Sequence, residues 1–406
     1  MGAATGTPTV VAVRALVPDS TAGADYHRQS TGHWITDSKI ANPMSAWEEY
    51  RASRTSWGLG ALGTFVVEVE TSDGHIGVAP SIGGPPAAFL VERHLARFAE
   101  GAPLTVAGIS ETWDQMFRAS QYYGRRGLGI NAISAIDLAL WDALGRSRGE
   151  PVWQLLGGHV LDELRFYATG PRPDIARQLG FVGGKLPLPA GPAEGAAGMA
   201  ENLALAAEMR SRCGDRDQDI DEFFLAFDCY MSLDLPFAVE LASRLEPYRF
   251  RWIEECLMPD DYWGYAALRR AVPPGLSSTT GEHESTRWGF QLLIEMECAD
   301  ILQPDVGWCG GLTELLRIAE LADTAGVPVV PHGSSVYSYH FLVSRPTTPF
   351  AEFLMMHPDA SEVVPMFAPL LVDEPVPIGG RMRVPDRAGF GVELNRDLPL
   401  DRPYVH

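Results

Sequence analysis

Short apolar runs, each closed by an acidic residue or a histidine, recur through the second half of the chain. They read FFLAFD to Asp228, FRWIE to Glu254, SSTTGE to Glu282, ADILQPD to Asp305, VPVVPH to His332 and PFAE to Glu352. By subtraction the intervals are 26, 28, 23, 27 and 20 residues. One strand, one helix and two loops take about 30 residues in a (β/α) barrel of ~250 residues. From residue 163 the strand candidates are ELRFYAT, GGKLPL, FFLAFD, FRWIEE, SSTTGE, DILQPD, PVVPHG and FAEFLM. Helical patterns fall between them at 194–212, 236–246, 261–271, 286–297 and 311–325. This alternation predicts a parallel barrel, whose active site is built from the C-terminal ends of several strands.

The first part of the chain patterns differently. Residues 9–17 and 61–80 carry strand patterns, and Asp73-Gly74 inside the second marks a hairpin. Between them, roughly 20–58, runs a polar and aromatic loop holding His27, His33, Trp34, Trp47, Arg51, Arg54 and Trp57. Residues 86–100 and 110–121 read as helices, and 131–145 as a buried helix. Strands followed by helices make an α+β domain. The expected division is an α+β capping domain at 1–158, a barrel at 159–369 and a segment at 370–406 that returns to the cap.

Composition narrows the function. A chain of 406 residues exceeds what one compact core usually holds, which agrees with two domains. The net charge of −20 argues against nucleic acid, whose phosphates need a basic face. No uninterrupted apolar stretch reaches 18 residues, and the N-terminus lacks the basic and apolar regions of a secretion signal, so neither a membrane nor export is expected. The cysteines (Cys213, Cys229, Cys256, Cys298, Cys309) show no CxxC or zinc spacing and read as reduced thiols of a cytoplasmic protein. GRRGLG at 124–129 follows no apolar strand, so it does not read as a phosphate loop.

The strand ends carry the chemistry. Taken singly, Asp228, Glu254 or Glu282 is a solvated loop residue or a helix cap. In register at one barrel mouth, three carboxylates need a counter-charge, and a hard divalent cation such as Mg²⁺ supplies it. Glu254 competes with Glu255, because strand alternation points only one of them into the mouth. An Asp305 carboxylate on one strand can accept a bond from His332 on the next, which suits His332 as a general base. Glu352 would stabilise an oxyanion or bind a hydroxyl. Lys185 would meet a substrate carboxylate or pair with the acids of the metal site. Arg54 and His33 lie where the early loop can close over the mouth.

These residues carry a resemblance. AISAIDLALWDALGRSRGEPVWQLLGG resembles the signature of the enolase superfamily, mandelate racemase/muconate lactonizing enzyme branch. FDCYMS, WIEECL, GEHE, QPDVGWCGGLTELL, VPHGSSVYS, TPFAEFL and DEPVPIGGR are similar to the L-rhamnonate dehydratase family. The resemblance implies a (β/α)7β barrel under a capping domain, Mg²⁺ and a homo-oligomer, an octamer among the assemblies. Carried over by motif, it implies Asp228, Glu254 and Glu282 as metal ligands, His332 as acid/base and Asp305 as its partner. It further implies Glu352 facing the intermediate, with His33, Arg54, Lys185 and His283 as substrate contacts. Glu284 stands where the family usually has a second histidine, a departure that bears on which sugar binds.

The implied reaction removes the α-proton of an acid sugar, stabilises an enediolate and expels the β-hydroxyl, giving a 2-keto-3-deoxy acid. The second barrel strand reads Lys-Leu-Pro, with Pro187 where a racemase would carry a second lysine. That favours a one-base dehydratase over an epimerase or cycloisomerase. Mannonate, lyxonate, fuconate or gluconate are alternative substrates, and a catalytically silent barrel is the alternative outside dehydration. A metal-dependent hydrolase would show an early HxH, which the first barrel strand lacks.

Overall fold

A computed structural model describes residues 6–19, 32–214, 223–333, 335–345 and 350–405. His27 and the acidic run at 215–222 lie outside the described residues.

The hairpin at Asp73-Gly74 joins β2 (Thr64–Thr71) to β3 (Ile76–Ile82), and β2 pairs antiparallel with β1 (Val10–Pro18). Against this sheet lies the helix Leu128–Arg148, with every residue from Gly129 to Gly145 buried. In composition this helix is apolar enough to cross a bilayer, yet 94% of that stretch is buried inside the protein. It is the shared core element of two domains, which explains why it is apolar on all sides. Gly77 lets β3 and the helix touch: a Cβ there would sit 2.1 Å from the Ala139 carbonyl oxygen. Gly149, at φ 66°, ends the helix in the left-handed conformation.

Seven parallel strands follow: β4 (Leu164–Thr169), β5 (Gly183–Pro187), β6 (Phe224–Asp228), β7 (Trp252–Glu254), β8 (Ser277–Thr280), β9 (Ile301–Leu302) and β10 (Ala351–Leu354). The order β10-β4-β5-β6-β7-β8-β9 brings the last strand beside the first, as a barrel requires. Helices Gly195–Cys213, Leu235–Arg244, Tyr262–Ala271, Thr286–Glu295 and Gly311–Ala325 separate them, close to the periodic segments. The fold is therefore a modified (β/α) barrel with an α+β cap.

The expected strand PVVPHG forms only two bridges, Leu302 with Val329 and Asp305 with His332. Pro328 and Pro331 remove the N–H groups that a full ladder needs. The pattern also passed over the helices Pro173–Gln178 and Val336–Val343. In the early loop, the described part holds single helical turns such as Trp34–Asp37 and Pro43–Ala46, where only an aperiodic loop was expected.

The C-terminal segment contains β11 (Leu371–Val372), β12 (Arg381–Met382), β13 (Glu393–Leu394) and β14 (Leu400–Asp401). Its contacts are divided. β14 pairs with β1 of the cap, whereas β12 pairs antiparallel with β4 of the barrel.

Candidate active site

The strand ends and the cap enclose a cavity of about 420 Å³. Asp228, Glu282, Asp305 and His332 line it from the barrel, and Arg54 and Trp57 from the cap.

β6, β7 and the loop after β8 bring three acids together. One ligand atom from each of Asp228, Glu254 and Glu282 lies within 4.8 Å of the others. Gly281, at φ 131°, makes the turn that aims Glu282 inward. Burial pushes the Glu254 carboxyl up to about 8 and Glu282 up to about 7, Lys185 opposing the first and His332 the second. Carboxylates held this close and this dry resist ionisation unless a cation joins them. Glu282 Oε2 is also buried without a hydrogen-bond partner among the described residues. An all-oxygen donor set with an unmet acceptor fits a hard divalent cation such as Mg²⁺.

The choice between Glu254 and Glu255 is made by backbone geometry. Glu254 faces the barrel axis, accepting from Lys185 Nζ, from Trp252 Nε1 at 3.0 Å and from Gln303 Nε2 at 2.5 Å. Glu255 has φ 45° and turns toward His283, whose Nδ1 lies 2.8 Å from its Oε2. Burial opposes charge on His283, but Glu255 and Glu282 outweigh it and raise its pKa to about 9. Glu255, Glu282 and His283 form a second grouping of metal-ligating atoms. The His283 ring packs against Tyr230, Trp57 and Trp308, three aromatics that line the cavity.

Asp305 and His332 meet as neighbours, with Nδ1 of His332 2.7 Å from Asp305 Oδ2. The second Asp305 oxygen accepts from the Gly307 N–H at 2.7 Å, so the carboxylate is fixed. Nε2 of His332 lies 3.4 Å from Glu282 Oε1, on the metal-site side. Burial works against a proton on His332. Glu282, Glu352 and the Asp305 bond outweigh it and hold the pKa well above that of a free histidine.

Lys185, Glu352 and His33 each have partners within the protein. Lys185 is fully buried among acids, 2.9 Å from Glu352 Oε1 and 3.5 Å from Asp228 Oδ2, besides its bond to Glu254. Glu352 accepts from Lys185 and Thr169 on one oxygen and from the Gly333 N–H at 2.8 Å on the other. Burial would raise its pKa, but Lys185 and His332 bring it down to about 2. Neither side chain lines the cavity: each neutralises the other inside the barrel. His33 caps the turn Trp34–Asp37, with Ile35 N–H donating to Nδ1 at 3.2 Å and Nε2 3.0 Å from the Met356 carbonyl. Both ring nitrogens are engaged, so His33 anchors the early loop to the barrel rather than facing the cavity.

Glu284, expected to bear on the sugar, is buried and does not line the cavity. It accepts from Arg126 Nη2 at 3.1 Å, from Tyr262 and from the Ser285 N–H at 2.7 Å. Arg126 belongs to the GRRGLG segment, so this charge cluster ties cap to barrel. Arg54 does reach the cavity, its guanidinium 3.9 Å from the centroid of the Tyr230 ring. The sequence reading missed Tyr230, Trp308 and Gln303. Gln303 had a usable signal, because it precedes Asp305 by two and alternation places both on one face. Left-handed backbone at Tyr230, Met231, Glu255, Thr286 and Ser335 concentrates strain around this site.

A carboxylate cluster beside a His–Asp dyad, under a cap that closes the mouth, defines a barrel enzyme with a candidate metal centre. The pattern of the enolase C-terminal domain matches residues 175–398, and that of the mandelate racemase/muconate lactonizing enzyme N-terminal domain matches residues 50–157. The chain belongs to this family of the enolase superfamily. It is similar to rhamnonate dehydratase from Gibberella zeae complexed with Mg, at 45% identity over 98% of this chain and 97% of that one, with a TM-score of 0.92. The 3,6-anhydro-D-galactonate cycloisomerase from Zobellia galactanivorans is 28% identical over 82% of this chain and 92% of that one, with a TM-score of 0.72. L-talarate/galactarate dehydratase from Salmonella typhimurium LT2 shares the fold at 22% identity over 98% and 94% of the two chains, with a TM-score of 0.74.

Proposed function

We propose that this chain is a Mg²⁺-dependent hydro-lyase that dehydrates L-rhamnonate to its 2-keto-3-deoxy acid. The observation that carries the reading is the single base. His332, held by Asp305, stands beside the carboxylate cluster, its Nε2 3.4 Å from Glu282 Oε1, while Pro187 lines the cavity where a second base would stand. The Gibberella zeae relative supports the substrate.

Asp228, Glu254 and Glu282 hold the metal, which supplies Lewis-acid stabilisation of the charge that develops on the substrate carboxylate. Arg54 adds a fixed positive charge from the cap, suited to bidentate carboxylate binding. Nε2 of His332 takes the α-proton, and Asp305 stabilises the imidazolium that forms. His332 then returns that proton to the departing β-hydroxyl, which leaves as water. The resulting enol tautomerises to the keto acid. Lys185 keeps the buried acids from repelling one another.

The five cysteines are buried free thiols, in keeping with a reducing cytoplasmic setting. The net charge of −20 sets nucleic acid aside as a partner. On the family's pattern the enzyme works as a homo-oligomer, with an octamer as the candidate assembly, which light scattering measures directly.

The test is turnover of a panel of aldonic and aldaric acids with Mg²⁺, read as 2-keto-3-deoxy acid. L-Rhamnonate is expected to give the highest kcat/KM. Turnover confined to another acid sugar would overturn the substrate, and none on any acid with Mg²⁺ bound would overturn the activity.

A further inference from the structure

Glu254 is the most heavily bonded of the three acids at the barrel mouth. Lys185 Nζ donates to its Oε1, while Trp252 Nε1 at 3.0 Å and Gln303 Nε2 at 2.5 Å both donate to its Oε2. A carboxylate oxygen carries two lone pairs. Oε2 is therefore full, and Oε1 keeps one lone pair open. The other two acids are less occupied. Asp228 accepts the Tyr230 N–H on Oδ1 at 3.1 Å and faces Lys185 with Oδ2 at 3.5 Å, so each of its oxygens keeps a lone pair. Glu282 Oε2 has no partner among the described residues.

Both donors on Oε2 are fixed by the barrel. Trp252 is buried on β7, its ring packed against Tyr167, Phe224 and Phe350 with centroids 5.2, 4.9 and 5.9 Å away. Gln303 is buried just past β9, where its backbone N–H donates to the Thr280 carbonyl at 2.9 Å. A carboxylate only accepts, so the amide presents its nitrogen to Glu254. That leaves Gln303 Oε1 buried without a partner among the described residues. A buried amide with one end unmet opposes folding, and an apolar side chain would fill the same space without that cost. The gain from a glutamine here lies in what it does to Glu254.

We infer that Gln303 and Trp252 select the cation: by filling Oε2 they leave Glu254 one coordinating oxygen, which favours Mg²⁺ over Ca²⁺. The inference rests on the reading of Asp228, Glu254 and Glu282 as metal ligands. Mg²⁺ takes octahedral ligands at about 2.0–2.1 Å and keeps several waters, whereas Ca²⁺ gathers about 6–8 oxygens at ~2.3–2.6 Å and can take both oxygens of a carboxylate. With Oε2 closed, the site offers the larger ion one oxygen fewer. With Oε2 fixed to two strands, Glu254 cannot swing to supply it.

The experiment titrates Mg²⁺ and Ca²⁺ separately into the metal-free full chain by calorimetry and reads the ratio of their dissociation constants. Wild type is expected to favour Mg²⁺. Gln303→Met, of similar length and without the donor, is expected to shift the ratio toward Ca²⁺ about tenfold, the lower end of the ~10–100-fold that partners of a metal ligand contribute. Trp252→Phe, which keeps an aromatic ring and removes the N–H, is expected to shift it the same way. A residue that only holds structure would lower both affinities, or the melting temperature, and leave the ratio unmoved. A wild-type preference for Ca²⁺, or a ratio unmoved in both variants, overturns the inference while the metal ligands stand. No binding of either ion to wild type overturns the metal reading and the inference with it. A crystal structure of wild type with Ca²⁺ decides the point without a variant: Glu254 bound through Oε1 alone supports the inference, and Oε2 in the coordination shell overturns it.

Discussion

Two sets of carboxylates in this protein look alike in the sequence and meet different surroundings. Asp137 and Asp142 lie on the helix Leu128–Arg148; Asp228, Glu254 and Glu282 lie at the barrel mouth. The helix pair meets fixed donors. Asp142 accepts from the Val78 N–H at 2.9 Å, the Phe390 N–H at 2.8 Å and Arg146 Nε at 2.8 Å, joining β3 to the C-terminal segment. Asp137 Oδ2 accepts from the Thr313 N–H at 2.9 Å, joining cap to barrel, while its Oδ1 has no partner among the described residues and burial raises its pKa to about 7. At the mouth, three carboxylates converge within 4.8 Å of one another around a single buried lysine. Burial alone does not mark a functional acid, and neither does one unmet acceptor, since Asp137 Oδ1 has no partner among the described residues either. The mark is the convergence of several carboxylates on one cavity.

The sharpest test of the contrast is His332→Asn. Loss of a positioned base is expected to lower turnover by at least ~10³-fold, with the melting temperature and Mg²⁺ binding by calorimetry nearly unchanged. Near-normal dehydration would remove His332 from its role. Next comes Asp142→Ala on the structural side. Removing one partner of a buried pair costs about 3–5 kcal/mol. Urea unfolding should report a loss of that size, while Mg²⁺ affinity stays within a few-fold.

Glu282→Gln should reverse that pattern. Mg²⁺ affinity is expected to drop by more than the ~10–100-fold typical of outer-shell changes. In metal-free buffer the melting temperature should hold or rise, since one like charge is gone. A destabilised apo-protein would show that Glu282 holds structure instead.

The smallest effect concerns a second pair, the histidines His332 and His340. His332 faces carboxylates. His340 faces the Trp153 N–H at 3.1 Å on Nδ1 and the Phe390 carbonyl at 3.2 Å on Nε2. Burial drives its pKa down to about 3. A folded-state value below the unfolded 6.5 means that the folded protein refuses a proton the unfolded chain accepts. His340 thus contributes stability that is full above pH 6.5 and is lost as pH falls toward 3, by up to about 1.4 kcal/mol per unit. His340→Gln should flatten the acid limb of a stability–pH curve relative to wild type, and an identical limb would discount the residue.

Much of this was legible before any coordinates. The hydrophobic period gave the barrel helices to within a few residues, because each buries one stripe against a strand. Asp228, Glu282, Asp305 and His332 stood out because each follows an apolar run in register. What the sequence left open was the partner each group would find. Lys185 takes the second of its two expected places, among the acids of the site and beside Glu352, and His33 turns toward backbone.

The sequence by itself determined the elements, their alternation and the set of groups at the strand ends, since period and spacing are local properties of the chain. Only the tertiary structure decided which of Glu254 and Glu255 faces the barrel axis and which cations are already neutralised. Those outcomes depend on side chains far apart in sequence, such as Lys185 with Glu352 and Glu255 with His283. Electrostatic and packing energies are set by distance in space, to which spacing along the chain is blind.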